Sequence, residues 1–144
     1  MMKIIIAGGR DFSNRDMLHS YMSLIPPWVA IDEIVSGGAK GADALGEEWA
    51  KLNGKPCKVF PAEWNRLGKR AGPIRNAEMS VYANGLIAFW DGKSKGTSHM
   101  IEMMKAAGKW TYVVRTDIPW NREWNGDVPI LNNVEVYNAN AQTA

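Results

Sequence analysis

The sequence predicts an α/β protein with an open, parallel sheet of about five strands and helices on both faces. Short uninterrupted apolar runs alternate with segments of helical period, and each run ends at glycine or at a turn. The 144 residues suit one compact domain. Hydrophobic residues at 46% supply its core without staples.

Residues Lys3 to Ala7 read as the first strand, β-branched and continuous as a strand covered on both faces requires, and Gly8-Gly9 ends it. Ser13 with Asp16 three residues on resembles a capping box. Met17, Leu18, Tyr21, Met22 and Ile25 then share one helical face until Pro26-Pro27 stops the helix. Ile31 to Ser36 is the second strand, broken by Gly37-Gly38. The next helix carries Ala42, Leu45, Trp49 and Leu52 at spacings of three and four, with Gly54 as its C-cap. Cys57 to Phe60 is the third strand, so Cys57 is expected to be buried and inert. A polar, basic loop over 62–72 follows, long for a strand-to-helix connection and therefore a functional candidate. Pro73 opens the third helix, Ile74, Ala77 and Val81 give its inner face, and Asn84-Gly85 closes it.

Leu86 to Phe89 is the fourth strand, Thr97 to Ala107 the fourth helix with Gly108 as cap, and Trp110 to Val114 the fifth strand. Right-handed crossovers with a switch point beside the first strand give the order 3-2-1-4-5. Beyond Arg115 the pattern weakens. Pro119, Trp120, Trp124, Gly126-Asp127, Pro129 and Asn132-Asn133 read as turns, Val134 to Tyr137 as a short extra strand, and 138–144 as a disordered end. The expected organisation is a domain over 1–115 with an extension over 116–144 that packs on it.

Composition narrows the function. With Cys57 as the one cysteine, no intramolecular disulfide forms and a reducing cytoplasm is the default location. Lys+Arg 17 against Asp+Glu 15 gives +2, too little for a wholesale nucleic-acid or membrane-surface binder. No apolar stretch spans a membrane, and the N-terminal MMKIIIAGGRDF lacks a signal peptide's long apolar region. His19 and His99 are the two histidines, so no metal site is expected. Of the seven tryptophans, Trp28, Trp49 and Trp110 are assigned to the core, Trp64 and Trp90 to the ligand edge, where a base stacks, and Trp120 and Trp124 to the tail.

Open α/β sheets bind ligands at the carboxyl ends of their strands, so the loops there carry the argument. Strand 1 ends in Gly8, Gly9, Arg10 and Asp11. Strand 2 ends in Ser36, Gly37, Gly38, Ala39, Lys40, Gly41, Ala42 and Asp43, a glycine-rich turn before a helix that suits either a phosphate cradle or close helix–strand packing. It is neither a P-loop nor a dinucleotide fingerprint. Strand 4 repeats the device with Trp90, Lys93, Ser94, Lys95, Gly96 and Thr97. Arg10, Lys40, Arg66, Lys69, Arg70, Arg75, Lys93 and Lys95 all lie in or beside these loops, gathering positive charge on one edge. Arg75 and Glu78, three apart at a helix start, are candidates for phosphate binding and for ribose contact or acid–base work; a surface ion pair fits them as well. Asp43 either meets a sugar or complements a helix dipole.

Taken together, GGRDF (8–12), SGGAKGADALGEEWA (36–50), PAEW (61–64), AGPIRNAEM (71–79) and AFWDGKSKGTSHMI (88–101) resemble the SLOG superfamily, specifically its YspA-type branch. The resemblance implies a Rossmann-like fold that binds nucleotides or nucleotide-derived ligands. It extends distantly to the DNA-processing protein DprA and to the lonely-guy phosphoribohydrolases. Against the hydrolases, Arg75, Asn76, Ala77, Glu78 and Met79 resemble their arginine-lysine-alanine-glutamate-methionine string, and Gly96-Thr97 their glycine-rich loop. The glutamate they carry shortly after that threonine is replaced by Ser98, His99 and Met100.

The expected function is therefore binding of a small phosphorylated, nucleotide-derived ligand (ADP-ribose-like, NAD-like or a nucleoside phosphate) as a sensor or sequestering module. The alternative is hydrolysis of an N-glycosidic bond with Arg75, Glu78 or Asp43 as catalytic residues and His99 as a stand-in. Single-stranded nucleic-acid binding is a further alternative against which the charge argues. The resemblance implies a homo-oligomer, since related enzymes are often dimers; no clean apolar stripe marks an interface, and the Trp120/Trp124 tail is the first place to seek one.

Overall fold

The computed structural model describes residues 1–119, 122–125 and 128–140. In chain order the strands are β1 (Met2–Gly8), β2 (Ile31–Ser36), β3 (Cys57–Val59), β4 (Gly85–Trp90), β5 (Trp110–Arg115), β6 (Arg122–Asn125), β7 (Val128–Leu131) and β8 (Val134–Tyr137). The helices are α1 (Arg15–Ser23), α2 (Ala42–Leu52), α3 (Trp64–Leu67), α4 (Ala71–Tyr82) and α5 (Lys95–Ala106). Six strands form the central sheet in the order β3-β2-β1-β4-β5-β8, while β6 and β7 form a separate antiparallel pair. The first five strands pair parallel, in the predicted order, and β8 adds an antiparallel edge against β5. Among the described residues no helix is long and apolar enough to cross a membrane.

Alternate residues of each strand feed two cores. Ile4, Ile6, Ile34, Ile87, Phe89, Tyr112 and Val114 meet Leu18, Tyr21 and Met22 of α1 and Ala50 of α2. Ile5, Val35, Leu86, Ala88 and Val113 meet Met79 of α4 and Met100, Ile101 and Met104 of α5 on the opposite face. Covering on both faces is why these strands read as unbroken apolar runs. Each buried Val, Leu, Ile, Phe or Met side chain among them contributes roughly 1.5–3 kcal/mol. Surface ion pairs such as Arg15–Glu48 are screened by solvent and add little, so burial holds the fold.

The structure corrects several expectations. Asn14, not Ser13, caps α1, its Oδ1 accepting from the Met17 N–H at 3.0 Å. Leu52 is exposed, because α2 turns Ala42, Asp43, Gly46 and Ala50 inward; a Cβ on Gly46 would stand 2.8 Å from Ile6. Cys57 is exposed, since β3 is a three-residue edge strand whose residues are all exposed. Its thiol is nonetheless raised, by partial desolvation and then by Glu47 and Glu33, so it is not activated.

The basic loop over 62–72 is mostly helical, running through α3 and a 3-10 turn, Gly68–Arg70, into α4. On α4 the expected inner residues Ile74 and Val81 are exposed, and Asn76, Met79 and Ser80 face inward. Apolar periodicity misplaced this face because two of its inward positions are polar and hydrogen-bonded: Asn76 to α5, and Ser80 to the Ala77 carbonyl at 2.8 Å. Gly85 lies in β4 rather than after the helix, which ends under Lys109, whose ammonium donates to the Ser80 and Ala83 carbonyls. Trp28 is half-exposed and meets Trp110 edge-on at 5.8 Å, so it lids the core instead of filling it.

In the extension, Trp124 and Pro129 lie in paired strands rather than turns. The predicted strand at Val134 is β8, and Asn133 before it is buried. Tyr21 Oη donates to Asn133 Oδ1 at 2.8 Å, and the Arg115 N–H donates to the Asn133 carbonyl at 2.7 Å. Asn138, expected in a disordered end, donates to the Lys109 carbonyl at 2.9 Å. The expectations for Trp120, Gly126-Asp127 and 141–144 lie outside the described residues.

Candidate functional site

A cleft of about 1060 Å³ opens at the carboxyl ends of β1 and β4, the point where the strand order reverses. Crossovers on either side of such a point lead away from each other and leave a crevice between their loops. The β1 loop lines it with Gly8, Gly9, Arg10 and Asp11, and α2 contributes Asp43. Arg75 and Asn76 come from α4, and Asp91, Lys93, Ser94, Lys95, Gly96, Thr97 and His99 from the loop after β4 and the start of α5. Trp64 forms an outer wall, half-exposed, with the Arg10 guanidinium 5.7 Å from its ring and its indole over Gly72.

The two glycine loops behave differently. After β2, the amides turn inward: the Gly38 N–H donates to Ser36 Oγ at 3.1 Å, the Ala39 N–H to Asp43 Oδ2 at 3.2 Å, and the Ala42 N–H to the Gly9 carbonyl at 3.3 Å. The Ser36 hydroxyl is itself committed to Glu47 Oε2 at 2.7 Å. Gly41, at φ +75, carries no side chain because a Cβ would lie 2.3 Å from the Gly9 oxygen. The Gly38, Ala39 and Ala42 N–H groups are thus spent on the protein's own oxygens.

The loop after β4 holds its turn through Asp91, whose Oδ1 accepts from the Lys93 and Ser94 amides at 2.8 Å. Those bonds keep the Asp91 carboxyl below the usual carboxylate range. Helix α5 then starts at Lys95 with no side chain capping it. No bond among the described residues takes the Lys95, Gly96 and Thr97 amides, and nothing lies within 4 Å of where a Gly96 Cβ would stand. Three free N–H groups, the positive end of a twelve-residue helix and two lysines face the cleft here.

Arg75 is half-buried and fixed at two points by neutral acceptors: Nε donates to Asn76 Oδ1 at 3.0 Å, and Nη1 to the Gly37 carbonyl. Among the described residues it forms no ion pair. Burial holds its pKa below the ordinary arginine value, against the pull of Asp43. Asp43 is buried, and burial pushes its carboxyl up to about 6, partly offset by the Ala39 amide and by Arg75. Asn76 Nδ2 reaches His99 Nδ1 at 3.1 Å and the Gly96 carbonyl at 3.3 Å, joining α4 to the start of α5.

Of the residues singled out from sequence, Gly8, Gly9, Arg10, Asp11, Asp43, Arg75, Asn76, Ser94, Gly96 and Thr97 line the cleft. Ser36, Gly37, Gly38, Gly41 and Ala42 stand behind its wall as the scaffold just described, and Lys40 is exposed beside them. Glu78 is exposed on the outer face of α4, near Arg66 rather than Arg75. Trp90 lies outside the cleft, its Nε1 donating to the Ser94 carbonyl at 3.1 Å and its face covered by Arg115 at 5.0 Å. Sequence reasoning passed over Phe12, Asn14, Met17 and Met79 as lining residues. Only Asn14 carried a signal, as a capping residue type beside a glycine loop. Among the described residues, no group of three or more His, Cys, Asp or Glu converges as a metal site.

Comparison with known proteins agrees with this architecture. The model of the family described as YspA, cpYpsA-related SLOG matches residues 2–67, from β1 through α3. The Gene 61 protein of Mycobacterium phage D29 is 33% identical over 118 residues, spanning 75% of this chain and 92% of that protein. With the sheet order, the glycine loops at its switch point and these two matches in agreement, the chain belongs to the YspA, cpYpsA-related SLOG family.

Proposed function

We propose that the protein binds a nucleotide or nucleotide-derived ligand in the switch-point cleft, as a sensor or sequestering module. Family membership is compatible with this chemistry. The supporting observation is the free N-terminus of α5 flanked by Lys93 and Lys95. Unspent amides and a helix dipole favour a phosphate. The cleft volume of about 1060 Å³ accommodates a nucleoside phosphate, and the Trp64 face offers its base an apolar wall. Titration calorimetry against ADP-ribose, NAD and the nucleoside monophosphates tests the reading. Binding is expected to weaken about tenfold in the Lys93→Ala/Lys95→Ala variant and to lose part of its salt dependence. Absence of heat with all of these ligands at millimolar concentration overturns it.

Hydrolysis of an N-glycosidic bond stays as a second reading on one observation. Asp43 places a buried carboxyl, with its pKa near neutrality, on the cleft wall beside Arg75. Free base released from a nucleoside monophosphate, and lost in both Asp43→Asn and Arg75→Ala, supports it. No release by the wild-type protein rejects it.

A further inference from the structure

Asp43 and Arg75 are close neighbours in the cleft wall that do not touch. The position that a Cβ on Gly37 would occupy is 2.4 Å from Arg75 Nη1 and 2.8 Å from Asp43 Oδ2, yet no ion pair joins the two groups. Both line the cleft. Arg75 is held in place by Nε and Nη1, which donate to Asn76 Oδ1 and to the Gly37 carbonyl. Its Nη2 takes no partner among the described residues. Asp43 is fixed by its place in the first turn of α2 and by the Ala39 amide.

The chemistry of the pair selects its occupant. A guanidinium only donates hydrogen bonds and a carboxylate only accepts them. A phosphate oxygen between them would gain from Arg75 but be repelled by Asp43, and an ammonium would meet the reverse conflict. A hydroxyl satisfies both, donating to Asp43 while accepting from Arg75. The anionic end of the ligand then belongs at the separate free start of α5, where Lys93 and Lys95 lie.

We propose that Asp43 and Arg75 read a sugar hydroxyl of the ligand, so that the cleft selects ribose over deoxyribose compounds. This rests on the nucleotide reading above and specifies its sugar. A site built to hydrogen-bond a hydroxyl rejects an analogue lacking it, since both polar groups are then left unpaired in a half-buried wall.

The test compares binding of AMP, GMP, CMP and UMP with their 2′-deoxy and 3′-deoxy counterparts by titration calorimetry. Wild-type protein is expected to prefer the tightest-binding ribonucleotide over one of its deoxy forms by about tenfold or more. Asp43→Ala, which removes the acceptor and is shown by its melting curve to be folded, is expected to reduce that preference to about twofold or less while still binding the deoxy form. Equal affinity of wild-type protein for the ribo and both deoxy forms overturns the hydroxyl assignment and leaves nucleotide binding standing. A preference that persists unchanged in Asp43→Ala also overturns it. Failure of every monophosphate to bind, with ADP-ribose or NAD binding, removes this assignment alone. Failure of all of them removes both readings.

Discussion

The two glycine loops at the cleft have nearly the same composition and opposite fates. The loop after β2 turns its amides onto Ser36, Asp43 and Gly9, so its glycines serve close approach of chain to chain. The loop after β4 is braced by Asp91, with Trp90 and Asn76 donating to the Ser94 and Gly96 carbonyls, and leaves the first amides of α5 unspent, with open space beside Gly96. Glycine richness therefore marks a place where something must come near. Whether that something is the protein or a ligand depends on which acceptors lie within reach.

Gly41→Ala is the strongest test of this contrast. A side chain there meets the Gly9 carbonyl at a φ of +75, and unfolding stability should fall by about 3 kcal/mol or more, read from urea denaturation. A loss under about 1 kcal/mol would mean that the closed loop is not closed in solution.

Asp43→Asn probes the same wall through pH. Its carboxyl is raised from 3.8 to about 6 in the folded protein, so folding favours the protonated form. The stability this group contributes is complete below about pH 4 and is lost as pH rises through about 6. The asparagine variant should consequently be more stable than wild type at pH 7.5 by up to about 3 kcal/mol, with the gain vanishing near pH 4. A gain independent of pH would break the assignment of a desolvated carboxyl.

The smallest effect on stability belongs to Gly96→Ala. Open space and a helical position predict no loss and a gain of up to about 1 kcal/mol. Ligand binding should weaken all the same, because the methyl group stands where the cleft meets α5. A variant as destabilised as Gly41→Ala would erase the difference between the loops.

Much of this was legible in the chain. Unbroken runs such as Ile4 to Ile6 and Leu86 to Phe89 announce strands covered on both faces, and the loops between them name the edge at which the cleft lies. What escaped depends on partners distant in sequence. The inward face of α4 was missed because Asn76 and Ser80 are polar residues made tolerable by bonds to His99 and to the Ala77 carbonyl. The fate of the β2 loop was undecidable from its own residues, since the oxygen that closes it at Ala42 belongs to Gly9. Glu78 and Arg75 share a stretch of helix, but only a helix docked on its neighbours determines that one enters the cleft and the other does not.

The position of β1 has a consequence for how the chain acquires its shape. It precedes every other strand of its sheet in the chain and it lies inside that sheet, between β2 and β4, with Ile4 paired to Gly85 and Tyr21 bonded to Asn133, 112 residues away. One flank of an apolar strand must therefore stay unpaired on the ribosome until β4 emerges, and the buried Tyr21 hydroxyl waits longer still. Loop closure over such spans precedes any return in contact energy, which makes folding slow for the protein's size and exposes the newborn chain to association through that flank.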